Sequence, residues 1–383
     1  MNLSESLSAL ANKLDQISVI TEAKGHLDHP EDLVFLGGSQ GATNAVNAIT
    51  TTVKSPKAIT IKWDGYPALI FGRGPDGRFS IMDKHMFNKK DGSGRTVYSP
   101  EEFVKYDLNR GVNRTQLHEL IAEIWPGLEK ADKSKGYYWG DLLFSQPLKP
   151  QSDGLYHFRA NPNGITYTVD PKSEIGKELT GKQAAIVVHQ FIPAGAMSTD
   201  EATQLNGTIG NLKNNSNVAI VPAKMPITPK LKIDANLVKN AQNAIKKYGK
   251  AVDQLMSTAP QAASSFQSLF TTYINKRIVA RNLNDLVDGF MEYFNSRPMT
   301  DSMRNKLTQH LQANQAGLVG AFTIWVEIYK LKMAVVEQLN KAAETAPVQG
   351  YLQDGTRTQE GFVSQGLKFV DRMGFSAQNL AGR

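Results

Sequence analysis

The stretch that decides the fold reads AITIKWDG at 58–65, PALIFGR at 67–73 and GRFSIMD at 77–83. Each run is rich in the β-branched and aromatic residues that favour strands. The PDG at 75–77 is typical of a turn joining two antiparallel strands. These patterns predict short strands, the last two forming a hairpin.

Similar runs of strand-forming residues occur further along the chain. Four more apolar runs predict further strands: YYWGDLLF (137–144), ITYTVD (165–170), AAIVVHQFI (184–192) and NVAIVPA (217–223). Between these groups, residues 99–128 read as helical. The sequence therefore predicts a mixed α+β sheet domain.

Helical periodicity dominates the two flanks of this domain. Residues 1 to about 55 predict helix because apolar residues fall on one face, namely Ala42, Val46, Ile49 and Val53. The GGSQG at 37–41 predicts a turn between two elements. Residues 234–345 predict a helical bundle whose aromatic side chains form its core: Phe290, Tyr293, Phe322, Trp325 and Tyr329.

Strand-forming residues occur again after the bundle, in EGFVSQGLKFVDR at 360–372. This return predicts that the bundle is an insertion in the sheet domain. The expected domains are an N-terminal helical segment (1–57), the first part of the core (58–233), the inserted module (234–345) and the completing strands (346–383).

Composition sets limits on the class of protein. The chain has 383 residues, 41% of them hydrophobic, no cysteine and a net charge of +7. The missing cysteines exclude disulfides and thiolate chemistry. No apolar run is long enough to span a membrane, and the acidic, amphipathic start does not resemble a secretory signal, so we expect a cytoplasmic protein. The basic excess suits a phosphate-rich partner, but it also suits simple solubility.

The tetrapeptide KWDG at 62–65 has the residues of a nucleophilic site. A lysine at the end of a strand can be partly desolvated, which favours its neutral, nucleophilic form. Asp64 can contact a ribose hydroxyl or orient Lys62, and Gly65 allows close approach of the backbone to a ligand.

Two further segments carry acids and a base. Asp141, in GDLL, lies on an apolar strand, where a carboxylate needs a lysine or a metal ion as partner unless it faces water at the strand end. EGFV at 360–363 and LKFV at 367–370 predict a hairpin. Its Glu360 can hold a metal, and its Lys368 can neutralise a phosphoryl group.

In this order, the segments resemble the collinear motifs of the covalent nucleotidyltransferases: ATP-dependent DNA ligases, RNA ligases and mRNA capping enzymes. KWDG resembles the motif that carries the adenylated lysine, and GRFSIMDKHMF the next one, with Lys84 at its basic position. YYWGDLLF is similar to the third motif, with Asp141 in place of the usual glutamate. AAIVVHQFI resembles the strand that stacks an aromatic on adenine, with His189 and Phe191 expected on one face. EGFV and LKFV resemble the last two motifs.

The resemblance has departures. Pro67 stands where many DNA ligases and capping enzymes carry arginine. Phage-type RNA ligases also lack that arginine, which favours RNA over DNA. Val370 replaces a second lysine, and the chain leaves no room for a C-terminal OB domain. GHLDHPEDLVF at 25–35 also resembles a group of bacteriophage proteins, for which the compartment would be the host cytoplasm.

The resemblance implies a ligase-type nucleotidyltransferase core without an OB domain, acting as an ATP-dependent polynucleotide ligase with Mg²⁺. Lys62 would take AMP from ATP and pass it to a nucleic-acid end, RNA or DNA. Asp141 and Glu360 would serve the metal and the lysine, while Arg73, Lys84 and Lys368 would neutralise phosphate charge. Two alternatives remain: a protein or small-molecule acceptor, or a decayed fold that binds nucleic acid or assembles in a phage particle.

Other polar clusters favour ordinary structural roles. His26 and His29 with Asp28 and Asp32 imitate a metal cluster only in composition. Lys89 and Lys90 lie in a polar loop and are expected to be solvated, with a phosphate backbone as the alternative partner.

Overall fold

A computed structural model describes residues 27–56, 59–63, 65–131, 133–160, 165–205, 208–215, 217–227, 229–257, 259, 266–352, 354–359 and 361–377. Its helices are α1 (Leu33–Lys54), α2 (Lys84–Phe87), α3 (Pro100–Asn109), α4 (Thr115–Ala131), α5 (Glu174–Leu179), α6 (Ala235–Ser257), α7 (Phe266–Val279), α8 (Leu286–Ser296), α9 (Asp301–Ala313) and α10 (Gln315–Ala342). The chain is thus α+β with mixed sheet, as predicted.

The strands are β1 (Ile59–Lys62), β2 (Ala68–Arg73), β3 (Phe79–Met82), β4 (Gly136–Phe144), β5 (Tyr156–Arg159), β6 (Thr166–Val169), β7 (Ala184–Ile192), β8 (Thr203–Gln204), β9 (Val218–Pro222), β10 (Lys224–Ile227), β11 (Val348–Tyr351), β12 (Arg357–Thr358), β13 (Gly361–Ser364) and β14 (Leu367–Phe369). Every apolar run predicted as a strand contains one. The predicted hairpin around PDG is confirmed, because β2 and β3 pair antiparallel.

The described chain divides into two compact units. The sheet unit takes in residues 60–226 and 344–359, and the bundle unit takes in residues 28–59, 227–343 and 361–377. This division differs from the predicted boundaries in two places. The helix expected as a separate N-terminal segment packs into the bundle, and the segment after residue 345 contributes to both units.

The sheet unit is built around a central sheet with strand order β3-β2-β4-β7-β8, and β9 runs parallel to β7. The pairs β2–β3, β2–β4 and β4–β7 are antiparallel. Because successive side chains of a strand point to opposite faces, the register defines two faces. Phe71 pairs with Tyr138 on one face, and Ile70 with Trp139 on the other.

The two faces have different surroundings. On the Phe71 face, Phe79 packs edge-on against Trp125 of α4 with ring centroids 5.5 Å apart, so we call it the helix-covered face. The opposite face carries Trp139 and Asp141, and we call it the Asp141 face. Both faces are largely buried, which explains why β4 and β7 read as continuous apolar runs.

A second sheet of the same unit has the order β12-β11-β6-β5. β11 pairs antiparallel with β6, with Val348 opposite Val169. The chain therefore returns to the sheet unit after the helical segment. Elsewhere in the unit, β1 and β10 are neighbouring strands.

The bundle unit is assembled from α1 and α6–α10. Stacked aromatic rings fill its centre: the ring centroid of Phe270 lies 5.0 Å from that of Phe35 and 4.7 Å from that of Phe290. Phe322 and Trp325 are fully buried as well. The prediction that Phe290, Tyr293, Phe322 and Trp325 form a core is confirmed, whereas Tyr329 is only partly buried.

Helix α1 is bent where the sequence predicted a turn. Gly37 and Gly38 depart from helical geometry, and Gly38 has a φ of 58°, which glycine adopts without strain. Beyond the bend, the carboxylate of Asp253 on α6 accepts bonds from the Ser39 N–H (2.7 Å) and hydroxyl (2.6 Å). Asp253 thus caps the second half of α1.

A buried charge cluster joins the start of α1, helix α10 and the C-terminal part of the bundle unit. Lys332 Nζ lies 2.6 Å from Glu31 Oε1, and Arg372 lies 2.8 Å from Asp32 and 3.3 Å from Glu31. Trp325 also donates to Asp32, at 2.8 Å. Burial alone would raise the pKa of Glu31, but Lys332 and Arg372 outweigh it and hold that pKa below its ordinary value. This pairing explains why the segment before α1 belongs to the bundle.

Candidate functional site

The KWDG loop begins at the end of β1, where Lys62 is half-buried. The next residue, Trp63, is fully buried and fixes the loop at two points. Its backbone N–H donates to the Ala223 carbonyl at 3.2 Å, and its indole Nε1 donates to the Pro222 carbonyl at 2.8 Å. Lys62 is therefore held next to a rigid anchor. Asp64 lies outside the described residues.

Gly65 presses directly against the strand that carries Asp141. An added Cβ at Gly65 would overlap the Leu142 carbonyl oxygen and approach the Asp141 backbone to 3.2 Å. Bonds on the far side of Gly65 reinforce the contact: Tyr66 N–H donates to the Leu142 carbonyl (2.9 Å), and Leu142 N–H donates to the Pro67 carbonyl (3.1 Å). The sequence predicted that Gly65 lets its backbone come close to a ligand. In the structure, Gly65 instead makes room for the backbone of the GDLL strand.

Asp141 is buried on β4, opposite Ala68 of β2 and Val187 of β7. Its Oδ2 lies 3.3 Å from Nε2 of His189. The segment that follows β9 closes the neighbourhood, because Ala223 N–H donates to the Val188 carbonyl at 3.0 Å. Ala223 thus contacts both the residue after Lys62 and the residue before His189.

A β-bulge corrects the prediction that His189 and Phe191 share a face. Gly140 pairs with Val188 but Trp139 pairs with Gln190, so His189 is an extra residue in β7. His189 contacts the Trp139 ring at 5.4 Å, whereas Phe191 contacts Tyr138 at 5.2 Å. Since Trp139 and Tyr138 are consecutive on β4, His189 lies on the Asp141 face and Phe191 on the helix-covered face.

Lys84 joins His189 on the Asp141 face. It begins the short helix α2, and its exposed side chain places Nζ 5.0 Å from the centre of the Trp139 ring. Asp83 fixes this helix. One of its oxygens caps the Met86 N–H, and the other accepts from Arg110 (2.6 Å) and Arg114 (2.9 Å).

Buried Asp107 completes the support under α2. It binds both Arg110 and Arg114, and it also bonds to His118 at 2.8 Å. Burial would raise the pKa of Asp107, but these bonds from His118, Arg114 and Arg110 outweigh it and hold the pKa below its ordinary value. The ionised network fixes the position from which Lys84 extends.

Three buried polar atoms on the Asp141 face have no hydrogen-bond partner among the described residues: Trp139 Nε1, Gln190 Nε2 and Ser80 Oγ. Ser80 lies opposite Gly72, two residues from Ile70, while Gln190 lies opposite Trp139. Leaving a buried donor unpaired costs about 1–3 kcal/mol. Buried groups of this kind usually have a functional role or bind an ordered water or ion.

The structure places Arg73 away from this face. It ends β2 opposite Gly136, five residues along from Ala68, which corresponds to roughly 16 Å of strand on the helix-covered side. There its guanidinium donates to the carbonyls of Gly77 and Glu129. Arg73, predicted to neutralise phosphate charge together with Lys84, therefore lies apart from the Asp141 face.

The predicted residues of the last hairpin lie in the bundle unit or outside the described residues. Lys368 is half-buried on β14, paired with Val363, and its N–H donates to the Asp28 carbonyl at 2.9 Å. Val370 is buried in the core, where a second lysine would be unfavourable. Glu360 is outside the described residues.

Within the described ranges, no group of three or more His, Asp or Glu side chains is placed to hold a metal ion. Asp32 is instead bound by Arg372 and Trp325, and His26 lies outside the described residues. Lys89 pairs with Asp91 at 3.4 Å in the polar loop, and Lys90 is exposed.

Several residues of the site were missed in the sequence. Lys224, at the start of β10, is a buried lysine one residue from Ala223. Trp139 and Gln190 were treated as strand residues only. A polar side chain inside an apolar run, as Gln190 and Ser80 are, was the signal available for the unpaired groups.

The candidate site lies on a mixed-sheet α+β core. It consists of the KWDG loop with its lysine, the buried acid Asp141 and unpaired polar groups. The chain belongs to a family of unknown function, DUF6267, whose family model matches residues 24–383. Neither a curated protein nor a solved structure matches the chain. In the part of the chain that the structure describes, no helix is long and apolar enough to cross a membrane.

Proposed function

We propose that the protein is an ATP-dependent nucleotidyltransferase that forms a lysine–AMP intermediate on Lys62 and acts as a polynucleotide ligase. The observation that carries the proposal is the packing of Gly65 against Asp141 and Leu142. It joins the loop that bears the nucleophile to the strand that bears the acid, although the two are separated by more than 70 residues in sequence. The proposal also includes the fold: we assign the sheet unit to the ligase type.

The chemistry assigns each group one task. The neutral amine of Lys62 attacks the α-phosphorus of ATP. An N–P bond forms, the bond to the bridging oxygen breaks, and pyrophosphate leaves as the nitrogen loses a proton. In a second step, an oxygen of a terminal 5′-phosphate attacks the same phosphorus, the N–P bond breaks and the amine of Lys62 is restored. In a third step, a 3′-hydroxyl attacks the 5′-phosphate, loses its proton and expels AMP, which joins the ends. Positioning and electrostatics supply most of the catalysis in such transfers.

The Asp141 face provides groups for a nucleotide. Lys84 offers a positive charge above Trp139, which suits a phosphate. The unpaired Trp139 Nε1 and Gln190 Nε2 are donors suited to a nucleobase or ribose. A nucleotide that accepts from them removes the cost of leaving them unpaired.

The proposed site offers one or two carboxylates as ligands for Mg²⁺. Mg²⁺ is usually held by one or two carboxylates together with substrate phosphates, rather than by a cage of protein ligands. Asp141 is a carboxylate of this kind on the proposed nucleotide face, and Glu360 is the second candidate. The ion would neutralise charge on the departing pyrophosphate.

The test is covalent labelling. Purified protein is incubated with Mg²⁺ and ATP that carries a radioactive α-phosphate, then denatured and separated by electrophoresis. We expect label on the wild type and none on Lys62→Ala, because the nucleophile is gone. Lys130→Ala removes an exposed lysine of the same unit and serves as the matched control, which should label fully.

The outcome distinguishes the candidate functions. Label that survives in Lys62→Ala would remove Lys62 from the mechanism. A wild type that binds ATP but never becomes labelled would favour a non-catalytic binding protein. Labelled protein that joins neither nicked duplexes nor broken RNA hairpins would point to a protein or small-molecule acceptor.

A further inference from the structure

Tyr66 is the most exposed large hydrophobic side chain among the described residues, with 63% of its surface accessible. Single exposed apolar residues are common on protein surfaces. Tyr66 differs because it immediately follows the KWDG loop. No described aromatic ring or cationic side chain packs against it.

The backbone that carries this ring is fixed on both sides. Tyr66 N–H donates to the Leu142 carbonyl at 2.9 Å, and the carbonyl of the next residue, Pro67, accepts from Leu142 N–H at 3.1 Å. Only two side-chain torsions remain free, so ordering the ring against a ligand has a small entropic cost. An exposed flat surface on a rigid backbone is suited to stacking.

The position of Tyr66 links it to the proposed chemistry. Its neighbour Gly65 packs on Asp141, and Ala68, two residues later, pairs with Asp141 across β2 and β4. Exposed Lys84 lies on the same face, above Trp139. A ligand on the Tyr66 ring would thus lie beside the Lys62 loop, and a chain of nucleotides running from it along β2 would meet Lys84, which lies over Trp139, the partner of Ile70.

We propose that Tyr66 is a stacking platform for an unpaired base of a single-stranded nucleic-acid end, with Lys84 attracting its phosphates. This names the acceptor class of the proposed ligase and rests on that function for its chemistry. Every base presents a π-face, so the platform accepts RNA and DNA alike. Stacking of one base on an aromatic side chain is worth about 1–3 kcal/mol.

The experiment measures binding separately from catalysis. Fluorescence anisotropy follows titration of the full-length protein into fluorescein-labelled single-stranded RNA and DNA oligonucleotides. Tyr66→Ala should weaken binding by about 5- to 150-fold, the loss of one stacked base. Tyr66→Phe should keep the affinity, because the ring remains. Leu108→Ala truncates a side chain that is 54% exposed on α3 and should have no effect.

Salt dependence separates stacking from charge. Tyr66→Ala should lower the affinity at every salt concentration without changing the slope of log affinity against log salt, since no phosphate contact is lost. Lys84→Ala should reduce that slope. The covalent labelling of the control variant Leu108→Ala with ATP should equal that of the wild type.

Each result supports or overturns the platform. Tyr66→Ala that binds as tightly as wild type overturns it, even if Lys62 labelling succeeds. Wild-type protein that binds neither oligonucleotide also overturns it. Binding that depends on the Tyr66 ring in a protein that never labels supports the platform and rejects the proposed catalysis.

Discussion

The bundle unit and the sheet unit both bury polar groups, but they satisfy them differently. In the bundle, two acids meet two bases: Glu31 and Asp32 pair with Lys332 and Arg372. On the Asp141 face, neutral donors such as Trp139 Nε1 and Gln190 Nε2 have no described partner. Matched charges that satisfy one another indicate a structural role. Unpaired buried atoms also occur in the bundle, at Glu31 Oε2 and at the hydroxyls of Tyr273 and Tyr293, so Trp139 and Gln190 are distinguished by lying on the face that carries Asp141 and not by the lack of a partner alone.

The comparison predicts that substitutions in the bundle cluster change stability and that substitutions on the Asp141 face change ligand binding. It fails if the two kinds of substitution have the same effects. Three measurements test it, and they are ordered from the largest expected effect to the smallest.

The largest effect is expected at Lys332. Lys332→Met should lower the free energy of unfolding by about 3–5 kcal/mol, because the buried charge of Glu31 is then balanced only by Arg372. The measurement is urea denaturation followed by circular dichroism. Label per folded molecule should not change, since the cluster lies in the bundle unit.

Helix α10 provides the control. Lys330 is two residues away, exposed, and paired with Glu327 at 2.7 Å. Lys330→Met should cost under about 1 kcal/mol, as exposed ion pairs do. The double variant Glu31→Gln/Lys332→Met should regain part of the loss. Equal losses in the two lysine variants would contradict a structural role for the cluster.

An intermediate effect is expected at two tryptophans of the sheet unit. Trp63→Phe should cost about 1–3 kcal/mol, because the Pro222 carbonyl loses the indole bond that it accepts. Trp139→Phe removes a similar amount of buried ring but a donor that has no described partner, so it should lower the free energy of unfolding by less than Trp63→Phe does.

Ligand binding should show the reverse order. Stabilisation by ATP, measured as a shift in melting temperature, should fall in Trp139→Phe and remain in Trp63→Phe. A Trp139→Phe variant that is as destabilised as Trp63→Phe, with normal ATP stabilisation, would mean that the Trp139 donor is paired within the protein.

The smallest effect concerns pH and His29 in the bundle unit. Burial, together with the positive charges of Arg372, Lys332 and Lys368, holds the pKa of His29 well below its ordinary value of 6.5. The unfolded chain therefore binds a proton that the folded chain does not. The stability that this neutral histidine contributes is complete above pH 6.5 and is lost as the pH falls below it, by at most about 1.4 kcal/mol per pH unit.

The comparison variant is His29→Gln, which cannot titrate. Between pH 6.5 and about 5, its unfolding free energy should fall less steeply than that of the wild type. This window lies above the ordinary pKa of Glu31, 4.5, so the acid does not contribute. Parallel curves for the two proteins in this window would show that His29 is not held neutral.

Much of the fold could be read from local patterns. The runs at 137–144 and 184–192 became β4 and β7 because nearly every residue in them favours a buried strand. The PDG hairpin and the bend at GGSQG followed from turn chemistry. Short elements such as α2, β5 and β12 were missed because their periodicity spans too few residues.

The site was only partly predictable for a different reason. Gly65 and Asp141 could be selected as residues, but their contact depends on tertiary packing. The bulge at His189 changed which face Phe191 occupies, and alternation alone does not reveal an extra residue. The charge cluster joins Glu31 to partners 301 and 341 residues away, a separation that no local pattern encodes.

The pairing of β6 with β11 has a consequence for synthesis on the ribosome. Val169 pairs with Val348, with residues 170–347 between them. While the nascent chain emerges, one edge of β6 lacks its neighbour until the whole helical segment and β11 have been translated. Closing so long a loop is slow, and an unpaired strand edge invites association with other chains. Expression at low temperature or with chaperones should therefore improve the yield of folded protein.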